Sequence, residues 1–324
     1  MRYLVTGAAG FIGFHLAKKL VEQGNTVRGL LLPQENGADL EALGVEIRRG
    51  DLTRPDTLAG VAKDIDIVYH LAARTLDWGT RKQFEAVMVD GTRNLLVESE
   101  GLVSRFVYCS SLAALGLGKP LVGLDEEAHR RECGIPYCDT KILAEDLVKE
   151  FCTRNFLAYT IVRPANVFGP GSVWVREILD AFKRGPFPLI NKGRSPGAFV
   201  YIDNLVDGMI LAGHSKVADG RTYHFRDDYP ITWAEYLNTV GGWINKAPKG
   251  GLSFGMAWFL GSICERLLTR LGIRPPMTRL AAAIMGLDNS VDCSRARQEL
   301  GWESQVSQGE ALRRIQSWVA ASYR

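Results

Sequence analysis

The sequence predicts a doubly wound α/β fold, a parallel sheet covered by helices on both faces, joined to a smaller and mostly helical C-terminal region. Three observations carry this. Short β-rich runs alternate with helical patterns through the first half; a glycine-spaced turn links the first run to the first helix; and the texture changes after about Arg221. At 324 residues the chain exceeds the usual single-core size, which fits one large unit with a companion.

Residues 3–6 read as the first strand and 11–23 as the first helix. Ile12, Leu16, Leu20 and Val21 form its apolar stripe, and Gly24 with Asn25 stops it. Alternation continues with a strand at 26–32, a helix at 39–43, a strand at 46–49 and a helix near 55–62. A strand at 65–71, a helix near 82–98, a strand at 105–110 and a helix from about 137 to 155 follow. Residues 158–163 read as another buried strand, ended by Pro164.

Residues 169–197 are rich in proline and read as a loop of the kind that lines binding sites. Residues 199–202, followed by 203–212 with Asp203 as helix N-cap, read as a return to the core. The expected division is therefore a core domain at 1–168 with a return at about 199–213, and a substrate-side region from 169–198 and 214–324.

Composition excludes several classes. A hydrophobic fraction of 46% and a charged fraction of 23% are those of a soluble globular protein. Net charge is +3 and no run of Lys or Arg resembles a phosphate-backbone footprint, so no nucleic-acid partner is expected. Six cysteines show neither metal-ligand spacing nor the density of a disulfide scaffold. Reduced thiols, a cytoplasmic location and no metal are the expectation. The apolar run at residues 3–5 meets Gly7 at once and leaves no room for a leader peptide. The longest apolar stretch, 252–264, is broken by Gly and Ser and then meets Glu265 and Arg266, too short to span a bilayer.

Thr6-Gly7-Ala8-Ala9-Gly10-Phe11-Ile12-Gly13 lies between the first strand and an amphipathic helix. Gly7 permits the tight turn, Gly10 lets backbone approach a pyrophosphate, Gly13 lets helix and strand pack, and the helix N-terminus offers free N–H groups. This spacing predicts a dinucleotide site of the Rossmann type, with Phe11 and Ile12 in the turn. Asp51, in Gly50-Asp51-Leu52, can accept from an adenine amino group or cap a helix. Leu71, Ala72 and Ala73 end the fourth strand at the edge where a nucleotide lies, whereas His70 reads as a satisfied buried histidine. The second strand ends at Leu32-Pro33 with neither the acid that selects NAD nor the arginine that accepts the extra phosphate of NADP. Either coenzyme is compatible, and the missing cation leans to NAD.

Tyr137-Cys138-Asp139-Thr140-Lys141 sets a phenol and an ammonium at i and i+4 on one helix face. A nearby lysine and a positive nicotinamide ring both favour the phenolate, which suits Tyr137 to acid/base work. Ser110 and Ser111 end a strand at the same sheet edge, where a hydroxyl can bind a substrate oxygen.

With these residues the sequence resembles the extended short-chain dehydrogenases/reductases of the NAD-dependent epimerase/dehydratase superfamily, in the 3β-hydroxysteroid dehydrogenase-like branch. The resemblance covers essentially the whole chain. Its further markers are YHLAA at 69–73, DGTRNLL at 90–96, YCSSLAALG at 108–116, RPANVFGPG at 163–171 and YIDNLVDG at 201–208. It implies Ser111 for substrate-oxygen binding, Tyr137 as proton donor or acceptor, and Lys141 on the nicotinamide ribose. It also implies Pro164 to Val167 beside the nicotinamide, with Asn166 facing substrate. Met88 departs from the Asn often found two residues before the Asp of DGT.

The same fold and triad serve nucleotide-sugar epimerases, so later segments must separate the reactions. Met256, Leu260, Ile263, Leu267 and Leu271 recur at helical spacing, with Trp258 and Phe259 beside them and Arg266, Arg270 and Arg274 following. Core packing, a hydrophobic pocket or an interfacial face resting on a membrane would each use such a stripe. The resulting expectation is hydride transfer to or from a secondary alcohol or ketone of a sterol-like or acyl substrate. Arg176, Lys183, Arg184, Lys192 and Arg194 support the alternative of a nucleotide sugar, whose phosphates need cations. A non-catalytic dinucleotide sensor is the third reading, and a homodimer is compatible with all three.

Overall fold

The computed structural model describes residues 1–323. Strands β1 (Arg2–Thr6), β2 (Thr26–Leu31) and β3 (Glu46–Arg49) alternate with helices α1 (Phe11–Glu22) and α2 (Ala38–Ala42). The chain continues through β4 (Ile67–His70), α3 (Arg81–Glu85), α4 (Gly91–Ser99), β5 (Arg105–Cys109), α5 (Pro136–Arg154) and β6 (Ala158–Pro164). Then come β7 (Asn166–Phe168), α6 (Val173–Arg184), β8 (Leu189–Ile190), β9 (Phe199–Tyr201), α7 (Ile202–His214) and β10 (Arg221–Phe225). Helix α8 (Trp233–Gly242), strand β11 (Gly251–Leu252), and helices α9 (Phe254–Leu268), α10 (Arg279–Gly286), α11 (Ser294–Leu300) and α12 (Gln308–Ser322) complete it.

Seven strands form one sheet in the order β10-β6-β5-β4-β1-β2-β3, every pair parallel. This is the doubly wound arrangement the alternation predicts, with its switch point between β1 and β4. All of β4 and β5 is buried, as strands sandwiched between two helical layers must be. Leu16 and Leu20 of α1 pack with Leu205 and Met209 of α7 on one face, and Leu95 of α4 with Leu147 and Val148 of α5 on the other.

Three local expectations are corrected. The stretch 169–197 holds a 12-residue helix, α6, because Val175, Ile178, Leu179 and Phe182 form a buried stripe that the surrounding prolines mask. Asp203 is not the N-cap of α7: the helix begins at Ile202, Tyr201 holds the extended cap conformation, and the Asp203 carboxylate accepts from Arg314 at 2.9 Å. Residues 221–225 are the seventh strand rather than part of a helical region. The helix expected near 82–98 is present, and a π-helical turn at Ala86–Asp90 joins α3 to α4 within it.

Candidate active site

The turn after β1 fits a dinucleotide. Gly7 has φ of 65°, and a Cβ at Gly13 would lie 2.2 Å from the Gly7 carbonyl oxygen, so α1 can approach the strand only without a side chain there. No side chain caps α1, whose N-cap is Gly10, which leaves its first amide groups aimed outward for a phosphate. A cleft of about 770 Å³ runs from this turn along the C-terminal ends of the strands.

The cleft gathers the residues singled out in the sequence: Gly7, Gly10, Phe11, Ile12 and Gly13 at one end, with Asp51, Leu52, Leu71, Ala72 and Ala73 beside them. Ser111, Tyr137, Lys141, Pro164, Asn166 and Val167 line its other end. Asp51 serves its turn as well, since Oδ1 accepts from the Thr53 amide at 2.9 Å and the Thr53 hydroxyl at 2.8 Å. The Asn166 amide donates to the Gly197 carbonyl at 2.7 Å, which fixes its plane at the wall. His70 is buried between Thr6 and Thr92, bonded to both hydroxyls, and burial depresses its pKa to about 3. It is a neutral structural link.

Tyr137 stands in the first turn of α5 behind Pro136, a position where the missing proline N–H costs no helical bond. The Asp139 carboxylate accepts from the amides of Cys133 at 2.9 Å and Gly134 at 3.1 Å, tying the preceding loop to the helix. Phe84 packs edge-on against the Tyr137 ring. Burial raises the Tyr137 pKa, and a hydrogen bond from Ser111 opposes that only in part. Without bound dinucleotide the phenol is therefore protonated, and the phenolate expected from Lys141 is not favoured. Lys141 donates instead to the Cys109 carbonyl at 2.7 Å, and burial lowers its pKa. Two of its three ammonium protons remain for other acceptors.

Ser110 and Ser111 diverge. The Ser110 hydroxyl donates to Glu145 at 2.6 Å inside a buried cluster, so it is committed to structure. Ser111 starts the 3-10 turn Leu112–Leu115, where its oxygen accepts from the Ala113 amide at 3.1 Å and its proton is left to give.

Several lining residues escaped the sequence reading, and Glu35 is the charged one among them. Glu35 reaches the adenosine end of the cleft beside Leu30 and Leu32, its carboxylate accepting from the Leu32 amide at 2.8 Å. Arg49 donates to the carbonyls of Leu32 and Glu35 and holds this loop in place. Its signal in the sequence is an acid three residues past the expected strand end at Leu32, beyond Pro33.

The family model for the NAD-dependent epimerase/dehydratase family matches residues 3–225. The chain belongs to that family. It is 30% identical, over 99% of its length and 100% of the relative's, to a 2-alkyl-3-oxoalkanoate reductase of Stenotrophomonas maltophilia. It is also 30% identical, over 96% of its length and 88% of the relative's, to a 3 beta-hydroxysteroid dehydrogenase/Delta 5→4-isomerase of Mycobacterium tuberculosis. Among solved structures, a UDP-glucuronic acid 4-epimerase of Bacillus cereus bound to UDP-glucuronic acid and NAD shares the fold, with a TM-score of 0.76 at 22% identity over all of both chains. The chain is thus an NAD(P)-dependent oxidoreductase of the extended short-chain dehydrogenase type.

Proposed function

We propose that the enzyme reduces a ketone, or in reverse oxidises a secondary alcohol, on a hydrophobic acyl or sterol-like substrate. The observation that carries this is the cleft lining. Among the described residues, Lys141 is its one lysine or arginine, while Leu117, Val173, Trp174, Leu280 and Ile284 make its substrate end apolar. Arg176, Lys183, Arg184, Lys192 and Arg194 do not line it, so a nucleotide sugar entering there would bring its phosphates to a wall without cationic donors. The apolar walls come from α6 and α10, which supports assigning 169–198 and 214–324, apart from β10, to the substrate side.

Ser111 and Tyr137 hold the substrate oxygen, and a protonated Tyr137 is the acid that a ketone needs as its oxygen gains charge. Lys141, Pro164 and Val167 flank the nicotinamide, and Asn166 faces substrate. When bound, the dinucleotide supplies the hydride. Retention of the Ser111–Tyr137 contact speaks against a non-catalytic sensor. The test is a panel of long-chain 3-oxoacyl compounds, 3-oxosteroids and nucleotide sugars with reduced dinucleotide. Consumption of NADH or NADPH with the apolar ketones supports the reading; epimerisation of the sugars without it would overturn it.

Glu35 favours NAD, because a carboxylate accepts from ribose hydroxyls and repels a 2′-phosphate. Titration calorimetry should show NAD bound about tenfold more tightly than NADP, and Glu35→Gln should narrow that gap. Equal affinities in the unaltered protein would refute this role.

The apolar stripe of α9 is neither core nor cleft wall. Phe259 and Leu267 are each 62% exposed, with Met256, Leu260 and Ile263 exposed beside them. Trp258 turns inward, packing on Phe254 and against Gly118. Among the described residues no helix is long and apolar enough to cross a membrane. The outward face of α9 rests on a lipid surface from which apolar substrate enters, and six free cysteines support the cytoplasmic side. Phe259→Ser with Leu267→Ser should reduce flotation with phospholipid vesicles while stability changes by less than about 1 kcal/mol. Concentration-dependent dimerisation without flotation would instead assign the face to a second copy of the chain.

A further inference from the structure

A second cavity, of about 400 Å³, lies between the 77–81 loop, the start of α5 and the inner side of α9. Tyr137 borders both this cavity and the dinucleotide cleft. Its walls include the apolar faces of Trp78, Phe84, Ile135 and Pro136, together with four guanidinium groups, Arg81, Arg266, Arg270 and Arg279. Two acids line it, and both are already engaged. Asp77 receives Arg274 at 3.5 Å and the Thr278 hydroxyl at 3.1 Å. Glu265 receives the Arg279 backbone amide at 2.6 Å and its guanidinium at 2.7 and 2.8 Å. Arg81 is likewise tied to Glu85 at 2.7 Å.

Arg266 and Arg270 stand apart. Arg266 lies in the last turn of α9 and Arg270 in the 3-10 turn Thr269–Leu271 that follows it, and among the described residues neither has an ion-pair or hydrogen-bond partner. Both are solvent-exposed and unpaired at the mouth of a small cavity with apolar walls, so they are free to take an anion from outside the chain. Planar carboxylates match guanidinium geometry and accept two parallel bonds. The cleft itself offers no such group.

We propose that this cavity is a subsite for a carboxylate carried by the substrate, held by Arg266 and Arg270 while the carbonyl meets Tyr137. It rests on the ketone-reduction reading and narrows it to oxo acids with an apolar tail. Tyr137 lines both spaces, so a substrate whose carbonyl meets it can send its carboxylate into this cavity and its tail along the apolar walls of the cleft.

The test compares a long-chain 3-oxo acid with its methyl ester in the full-length enzyme with NADH. The acid should be favoured about tenfold in kcat/KM, and Arg266→Gln with Arg270→Gln should remove that preference by raising KM for the acid alone. Equal use of acid and ester by the unaltered enzyme overturns the subsite, as does an equal loss on both in the variant. Calorimetry with a saturated fatty carboxylate gives a readout independent of turnover. Binding that weakens about tenfold in the variant supports the subsite even if no ketone is reduced, which would sink only the activity. Failure of the carboxylate to bind the unaltered protein, or tighter arginine-dependent binding of UDP-glucose, overturns it.

Discussion

Tyr137→Phe is expected to lower ketone turnover about a hundredfold or more while dinucleotide binding stays intact. The substitution deletes one oxygen and keeps the ring that packs edge-on against Phe84, so neither α5 nor the cleft wall moves. What is lost is the proton. Burial holds the phenol protonated, and Ser111 orients it, so the site presents an acid at the sheet edge before substrate arrives. Because its pKa is raised, the acid form persists as pH rises past neutrality. The reduction rate should therefore show no loss from Tyr137 ionisation up to about pH 9, below the ordinary tyrosine value of about 10. Oxidation of the alcohol needs the deprotonated form and should quicken over the same range. Steady-state rates in both directions, with dinucleotide titration alongside, check this. Near-normal turnover in the Phe variant would remove Tyr137 from the reaction.

The central sheet was legible because its strands, the exposed edge strand β3 excepted, are largely buried and the helices between them carry an apolar stripe, so periodicity separates the two. The glycine turn was legible for a stronger reason. Gly7 is required by its own positive φ and Gly13 by its approach to Gly7 six residues before it, and such local requirements leave local signatures. What escaped was set by distant neighbours. Residues 221–225 carry no distinctive pattern, and they become a strand because the open edge of β6 is there to pair with. Helix α6 was hidden by prolines outside its ends, although its apolar spacing was present in the sequence.

The stripe of α9 shows the limit most plainly. Its period revealed a helix with an apolar side, but which side faced inward depended on where Gly261 meets the backbone of Thr278 and Arg279. Close approach there turns Ala257, Trp258 and Gly261 toward the protein and the larger aliphatic residues outward. The expected pairing of Trp258 with Phe259 on one surface fails for the same reason. Neighbours in sequence lie about 100° apart on a helix. Glu35 escaped in a related way, since its place in the cleft depends on Arg49 folding the loop back.

Glu145→Ala should be the most destabilising single change, costing about 3–5 kcal/mol. Glu145 and Arg163 are fully buried between α5 and β6 and share two parallel bonds of 2.8 and 2.7 Å. Ser110 adds a bond at 2.6 Å and Arg130 one at 3.2 Å. Removing the carboxylate leaves the Arg163 charge without its counterion in a low-dielectric interior, a far larger penalty than any lost attraction at the surface. The effect reaches the site, because Glu145 fixes Ser110 and Ser110 sets the backbone from which Ser111 reaches Tyr137. Burial pushes the Glu145 carboxyl up, but Arg163, Ser110 and Arg130 together bring it below its ordinary value. A depressed folded-state pKa means this stabilisation is present above about pH 4 and is lost as pH falls further through the folded value. Denaturant titration at neutral pH measures the cost, and the pH dependence should flatten in the variant. Combining Glu145→Ala with Arg163→Met should recover much of the loss, since no charge is then stranded. A shift under about 1 kcal/mol for the single variant would mean that Arg163 does not depend on Glu145 for its burial.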